Sequence, residues 1–439
     1  MSTRSRPEHR AHASASSTRP DGSGTGEPVS GGPSGAGAAF GGASAPDAER
    51  LLGERAAERA ALVAMLEDAL ARGVEHVHVE RADDAWRLRH RDDESLHETR
   101  LGVSDRLPAA LALLAEHAVA TGAGRVGGAL VLTCRAGGQR VLLELRRTGT
   151  VLGEDFLVTL HGNALVAPRL DALGADPAQL GAVRALLDRP TGWLVVGSGG
   201  ALAGERLVRA LAQELVSPER KLLSFEPRVH PPLAGVSQVT DESALPPHGA
   251  ADVDVALLAA TPPDERLAAL APAAAERLLV VQRCTARRPS TALRRLLALG
   301  LSPSWIALVC PAVLMHHRVR LVCPACRRRT SPEAALGLDA TEAPPVRDVA
   351  AWLERSLRGS FEEGAGCVRC DGTGHVGTRD LLDLVVLEAA VREALVRGEI
   401  DAALLRVDAG GTLGTRLARL IASGEITRAE ASRHVATRG

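Results

Sequence analysis

The sequence predicts an α/β protein whose second half carries a mostly parallel sheet, preceded by an α+β lobe and followed by a cysteine-paired module and a helical end. Three observations carry this expectation. A strand, a glycine-rich turn and a helix follow one another at WLVV, GSGGALAG and ERLVRALAQEL, and later short apolar runs are spaced to leave room for helices. Before residue 165 the apolar runs alternate with polar residues instead, as half-buried strands do. Two C-x-x-C pairs lie beyond residue 320.

In chain order, residues 1–46 are rich in Ser, Gly, Ala and Pro without apolar periodicity, and bury too little to offset their ordering entropy, so a disordered tail is expected there. Pro46 and Asp47 read as a helix start, and apolar residues at three and four spacing extend one helix to Gly73. VEHVHVE, AWRLRHR, GALVLTC, RVLLELRR and DFLVTL read as strands around a helix near 106–120, giving an α+β lobe over 47–165. A second unit is expected over 183–439, with WLVV, KLLSFE, VDVALLA and RLLVV as its strands. From about 303 onward the chain reads as mainly helical, interrupted by a cysteine module over 323–377, and 384–439 reads as short helices joined at Gly411 and Gly424.

Composition excludes several classes. The 439 residues carry 52 basic against 53 acidic side chains, so no whole-chain polycation attracts nucleic acid or membrane. With no Tyr and four each of Phe and Trp, there is no aromatic platform on which single-stranded bases could stack. Of the 52 Lys and Arg only one is lysine, Lys221; GC-rich codons account for such a bias, yet chemistry that needs a lysine must use that one. The longest apolar stretch, Trp305 to Met315, is broken by Cys310 and Pro311 and falls short of the roughly 18 residues of a membrane span. The first residues lack the apolar core of a signal peptide; being Arg- and Ser-rich they leave a transit peptide open, with their Gly and Pro content against it. Seven irregularly placed cysteines fit a reducing cytoplasm.

Cys323-Pro-Ala-Cys326 and Cys367-Val-Arg-Cys370 supply four soft thiolates as two knuckles, the donor set of a tetrahedral zinc site. Four protein ligands leave no open position, so the metal would be structural. Free thiols or a redox pair are the alternative. Cys367-x-x-Cys370-x-Gly372-x-Gly374 also looks like one repeat of the zinc region of DnaJ-type chaperones. Cys134, Cys284 and Cys310 lie in apolar runs and read as core residues.

A phosphate-binding loop at the strand–helix turn requires G-x-x-x-x-G-K-[ST], its lysine on the β- and γ-phosphates and its hydroxyl on Mg²⁺. Counted from Gly197, Leu202 stands at the second glycine, Ala203 at the lysine and Gly204 at the hydroxyl residue. Glu205 reads as opening the following helix, where a carboxylate opposes phosphate. The turn formed by Gly197, Gly199, Gly200, Ala203 and Gly204 is therefore expected not to hold nucleotide. Lys221 starts a strand and belongs at the opposite end of the sheet, and Arg206 and Arg209 on the helix do not reproduce the point charge of a lysine.

From about residue 60 to 435, the order of these segments resembles the type II secretion and type IV pilus assembly ATPases, hexameric motors with a RecA-like P-loop domain that work beneath a membrane platform. VEHVHVE keeps His78 and Glu80 of the family's Ala-Ser-Asp-Ile-His-Ile-Glu, RHRDDESL (Arg89 to Leu96) resembles its Arg-x-Arg-Ile-Asp-Gly-x-Leu, and Gly153-Glu154 its Gly-Glu pair. SFEPRVHPPLAGVSQV resembles the acidic segment and its Gly-x-x-Gln, AADVDVALLAA the Walker B segment, and ALRRLLALGL the helix before the zinc region. CPAC and GCVRCDGTGHVGT match the paired knuckles and the Gly-Thr-Gly-x-x-Gly turn most closely.

The departures fall on the chemistry. Glu226 remains from the acidic segment, while Pro227 and His230 stand where the family has Asp and Glu; Asp252 and Asp254 remain from Walker B, but its glutamate is Ala260. The histidine box falls on Leu278 and Thr285, and the family's arginines fall on Glu144, Thr159 and His317. An arginine finger alone is worth about 10³ to 10⁵ in rate.

The resemblance thus implies a catalytically inactive motor-ATPase homologue, a scaffold or regulator of a type II secretion or type IV pilus-like machine. Glu226, Asp252 and Asp254 would be vestigial and structural zinc the cofactor, with ATP and Mg²⁺ not expected. Its partners would be an active paralogous motor ATPase or an inner-membrane platform protein, in homo- or hetero-oligomers, in the cytoplasm or peripherally at the inner face of its membrane. Two alternatives stand beside it: a slow ATPase holding Mg²⁺ on the three carboxylates, and a zinc-dependent nucleic-acid binder suggested by Arg327, Arg328 and Arg329.

Overall fold

In this computed structural model the described residues are 45–82, 85–91, 96–101, 104–121, 125–126, 129–163, 169–226, 232–246, 252–330, 361–370 and 372–435. The tail expected at 1–46 lies outside them up to residue 44, as do Pro227, His230 and residues 331–360 of the cysteine module.

The helix expected from Asp47 to Gly73 is two helices. Asp47 caps α1 (Ala48–Leu52) by accepting from the amides of Glu49 and Arg50, Gly53 ends it, and α2 (Ala56–Arg72) follows. Apolar spacing continues across the break because both helices bury their apolar side on the same core, so periodicity alone cannot reveal it. That core sits against a seven-stranded sheet of β1 (His76–Ala82), β2 (Ala85–Arg91), β3 (Leu96–Leu101), β4 (Arg125–Val126), β5 (Ala129–Ala136), β6 (Gln139–Thr150) and β7 (Gly153–Asn163), ordered β3-β2-β1-β7-β6-β5-β4. With α3 (Arg106–Thr121) between β3 and β4, this is the α+β lobe read from the alternating runs.

After α4 (Pro177–Leu187), capped by an Asp176–Gln179 capping box, β8 (Gly192–Ser198) enters the second sheet. β8 runs into α5 (Ala201–Leu215), and β9 (Leu222–Phe225), β10 (Val236–Val239), β11 (Val255–Leu258) and β12 (Leu279–Thr285) join in parallel. Between β11 and β12 lie α6 (Asp264–Ala269) and α7 (Ala271–Glu276), and α8 (Pro289–Ala298) and α9 (Pro303–Val309) follow β12. Trp193 and Val195 face one core and Leu194 and Val196 the other, so β8 is buried on both faces, as a central parallel strand is.

Beyond residue 303 the structure departs from the helical expectation. β13 (Ala312–Val322) and β16 (His375–Val386) form a long antiparallel pair that completes the sheet, ordered β10-β9-β11-β12-β8-β13-β16. The run AVLMHHRV reads as helix because it is apolar without alternation. It is a strand covered on both faces, where alternation has no cause. A small hairpin, β14 (Arg327–Thr330) with β15 (Phe361–Gly364), carries the knuckles, and α10 (Ala389–Val396), α11 (Ile400–Ala409), α12 (Leu413–Ala422) and α13 (Arg428–Val435) close the chain. Among the described residues no helix is long and apolar enough to cross a membrane.

Buried Glu430 of α13 holds β13 by accepting from the backbone and guanidinium of Arg320 at 2.7–3.0 Å. Burial would raise this carboxyl, but hydrogen bonds from His434 and Arg320 outweigh it and bring it to about 2, from an ordinary 4.5. A depressed folded-state value stabilises the native chain fully above about pH 4.5, and that contribution is lost as pH falls toward 2. Melting temperature should therefore fall over this window, and the fall should be shallower in Glu430→Gln, as scanning calorimetry from pH 6 to 2 would show.

Candidate functional site

The glycine turn is shorter than its sequence suggests. β8 continues through Ser198 and α5 begins at Ala201, so only Gly199 and Gly200 link them. A phosphate cradle needs several successive backbone N–H groups curled around the anion, and a two-residue link does not provide them. The remaining polar groups are turned inward: the Ser198 hydroxyl donates to the Gly200 carbonyl at 2.5 Å, and His316 contacts the Ala203 carbonyl at 3.1 Å. Ala203 is 1% exposed. The glycines that survive do so for packing, since a Cβ on Gly197 would stand 2.6 Å from the Met315 sulfur and one on Gly204 2.7 Å from the Ser198 hydroxyl. Glu205 does not open the helix; it is the fifth residue of α5 and buried.

The three carboxylates singled out from the sequence do not meet. Glu226 lies just past the C-terminal end of β9, the sheet end that also carries the glycine turn, but β11 and β12 stand between β9 and β8, about 14 Å of sheet. It is buried and saturated, accepting from Ser224 Oγ at 2.6 Å, Arg209 Nη1 at 2.8 Å and Gln238 Nε2 at 2.9 Å. Asp252 and Asp254 precede β11 and so lie at the opposite end of the sheet from the turn, where Asp254 accepts from the Lys221 amide at 2.7 Å. Lys221 is accordingly remote from the turn, as its place before β9 implies. Sequence reasoning put the aspartates near a metal by segment alone; strand direction separates them.

Neither arginine of α5 is available to an anion. Arg209 pairs with Glu226, and Arg206 reaches Glu75 of the N-terminal lobe at 3.3 Å. Arg318 of β13 meets the same Glu75 carboxylate at 2.9 Å. Where the resemblance implies arginines in the first lobe, Glu144 and Thr159 are cross-strand partners on β6 and β7. Glu144 is bound by Arg146 at 2.6 Å with His161 at 3.5 Å, and Thr159 by His76 at 3.0 Å. Burial holds His317, the remaining such position, well below its ordinary value, with His434, His316 and Arg416 adding to the effect, so it is neutral. The sequence missed His316, which joins Ala203 to Asp380 (3.0 Å), and the Glu75 clamp; their signal is the alternation of polar residues in HHRVR, visible once that segment is a strand.

The cysteines do converge. Cys323, Cys326, Cys367 and Cys370 bring their four sulfurs within 4.8 Å of one another, with closest pairs at 3.7–3.9 Å. Four sulfurs at about 2.3 Å from one tetrahedral Zn²⁺ lie about 3.8 Å apart, whereas a disulfide requires about 2.05 Å. The donor set and spacing fit one tetrahedral ion. Burial would raise the Cys370 thiol, but amides of Cys367 and Gly374 donate to its sulfur at 3.2 and 3.3 Å and bring it down to about 7. Gly364 of β15 and Gly374 let the module close: a Cβ on Gly364 would stand 2.0 Å from the Gly374 carbonyl oxygen, and one on Gly374 2.5 Å from that of Gly364. Of Arg327, Arg328 and Arg329 on β14, read as a basic cluster, Arg328 and Arg329 lie opposite Glu363 and Glu362 of β15, and Arg327 is 2.7 Å from Glu362.

A mostly parallel sheet with an antiparallel β13–β16 edge, an α+β lobe before it in the chain and a tetracysteine module make an architecture similar to that of the secretion and pilus ATPases. The sequence model of the Type II/IV secretion system protein family matches residues 53–257 of the chain. It is 27% identical over 356 residues to type II secretion system protein E of Klebsiella pneumoniae, covering 78% of this chain and 68% of that one. It is 25% identical over 279 residues to the type IV pilus assembly ATPase PilB of Thermus thermophilus, covering 60% of this chain and 30% of that one. Among solved structures, the ATPase DotB of Yersinia pseudotuberculosis superposes with a TM-score of 0.54 at 12% identity, covering 85% of this chain and 92% of that one. DotB of Legionella pneumophila gives 0.54 at 14%, covering 84% and 94%. At such identities the structural likeness is one of fold.

Proposed function

We propose that this chain is a catalytically inactive member of the motor-ATPase family that acts as a scaffold or regulator in a type II secretion or type IV pilus-like machine, docking on an active motor ATPase or its membrane platform. The observation that carries the reading is the two-residue link between β8 and α5, with Ala203 and Gly204 where lysine and hydroxyl are needed. Phosphoryl transfer depends on positioning and on positive charge concentrated at the γ-phosphate. Here Arg206 and Arg209 are spent on Glu75 and Glu226, and the Walker B aspartates face away from the turn. The slow-ATPase alternative loses its three-carboxylate magnesium site by the same geometry. The cysteine cluster is read as one structural zinc, closed to substrate because all four positions are protein ligands.

The test is binding of a fluorescent ATP analogue with Mg²⁺ to the full chain, together with phosphate release. Affinity weaker than about 1 mM, worth less than about 4 kcal/mol, and no turnover above buffer are expected. Micromolar binding with hydrolysis abolished by Glu226→Gln would overturn the reading.

A further inference from the structure

We propose that the cleft between the N-terminal sheet and the cysteine knuckle binds a phosphate group that keeps a P–OH proton, as free phosphate or as the monoester of a small soluble molecule. This cleft, about 320 Å³, is formed by the end of α2, by β2 and β3, by β13, by Arg369, Cys370 and Thr373, and by the start of β16, and it contains no residue of the glycine turn. Its volume is at the low end of small-ligand pockets.

Among the described residues, three guanidinium groups (Arg72, Arg320, Arg369) and three imidazoles (His90, His97, His375) line it, with one carboxylate, Asp68, and the sulfur of Cys370 as the acidic groups. Asp68 is engaged by Arg72 at 2.9 Å, and Arg320 is tied to Glu430 at 2.7 Å on the protein side. Arg369 is exposed and has no carboxylate partner among the described residues. A guanidinium fork that lines a cleft without a counter-charge suits an oxyanion.

His375 narrows the choice of anion. Its Nδ1 lies 2.9 Å from the Thr373 carbonyl and so carries the proton, which leaves Nε2 as an acceptor. That Nε2 is buried and has no hydrogen-bond partner among the described residues. Burial, then the positive charges of Arg320 and Arg433, hold the imidazole below its ordinary value, so the acceptor form persists at neutral pH. His375 lines the cleft, so a ligand that reaches Nε2 must bring one donor beside several acceptor oxygens. Monoprotonated phosphate has both, and a monoester with a second pKa of about 6 retains a protonated fraction near neutrality. Sulfate and phosphodiesters match the shape but lack the proton.

Equilibrium dialysis of the full chain with labelled inorganic phosphate and with glycerol 3-phosphate tests this, with sulfate and dimethyl phosphate as competitors. Saturable binding of at least one probe is expected, with whichever binds tighter identifying free phosphate or monoester as the ligand form. Competitors should need about tenfold higher concentration or more, the worth of one hydrogen bond to a charged group. Arg369→Gln should weaken binding about tenfold or more at unchanged melting temperature and metal content. His375→Ala should erase the preference for phosphate over sulfate, and the exposed Arg369 variant keeps the test decisive if that one misfolds. No saturable binding of either probe, equal competition by sulfate, or undiminished binding by Arg369→Gln would overturn the proposal.

Discussion

Glu226→Ala is expected to lower the unfolding free energy by about 3–5 kcal/mol, the cost of breaking a buried ion pair from one side. Glu226 is 2% exposed and Arg209 5%, so neither charge has water to fall back on. Alanine would leave the Arg209 guanidinium, the Ser224 hydroxyl and the Gln238 amide without the oxygen atoms they share. Two of these groups come from β9 and β10 and the third from α5, so the loss would loosen the contact between the helix after the glycine turn and the strand edge of the sheet. The double replacement Arg209→Met with Glu226→Leu should recover part of the stability, because an apolar pair of similar volume removes the unpaired charge while buried Glu205 loses the attraction of Arg209. Urea unfolding of the full chain and both variants measures this. A working catalytic carboxylate behaves in the opposite way, its removal commonly leaving stability unchanged or higher while activity falls. An unchanged midpoint in Glu226→Ala would therefore speak against the structural role assigned to it.

Glu226 also marks where the sequence ceased to be informative. Its position after an apolar run was legible, as were five of the seven strands of the first lobe, because half-buried strands must alternate and fully buried ones must be short and apolar. The convergence of the four cysteines was legible because paired C-x-x-C knuckles suit one tetrahedral ion. What lay beyond reach was anything fixed by strand direction or by two distant elements together. Asp252 and Asp254 keep their places in the Walker B segment, yet stand three residues and one residue before β11, at the end of the strand away from the glycine turn. The length of the glycine turn depends on Met315 packing over Gly197 and on His316 taking the Ala203 carbonyl, contacts from a strand more than a hundred residues away. That same strand was read as helix because burial on both faces erased its periodicity.

Replacing Cys370 with serine should lower the bound zinc from about one ion per chain to near zero, and elemental analysis of the purified protein before and after mutation decides it. Metal affinity of such sites is folding free energy: about 10–16 kcal/mol of apparent binding in small zinc modules is available to hold elements that bury little apolar surface of their own. The hairpin of β14 and β15 is in that position, with four residues per strand and a surface dominated by Arg and Glu. Its connections carry the effect outward. Cys323 follows Val322, the last residue of β13, whose amide bonds to the Glu425 carbonyl between α12 and α13, and the Cys323 amide bonds to Gly374 just before β16. Losing the ion should thus fray the β13–β16 pair from its open end and release α12 and α13, while the five parallel strands β8 to β12 keep their own cores. Hydrogen exchange should show that order. Thiol titration separates a zinc site from a redox pair: chelation should expose the knuckle thiols, four at most, rather than all seven. Burial pushes Cys134 to about 12, Cys284 to about 11 and Cys310 to about 12, which keeps those three protonated and unreactive in the folded chain. Seven reactive thiols after chelation would mean that the ion holds the whole molecule together and not the knuckle alone. Four reactive thiols without chelation, in a chain with no metal, would remove the zinc assignment.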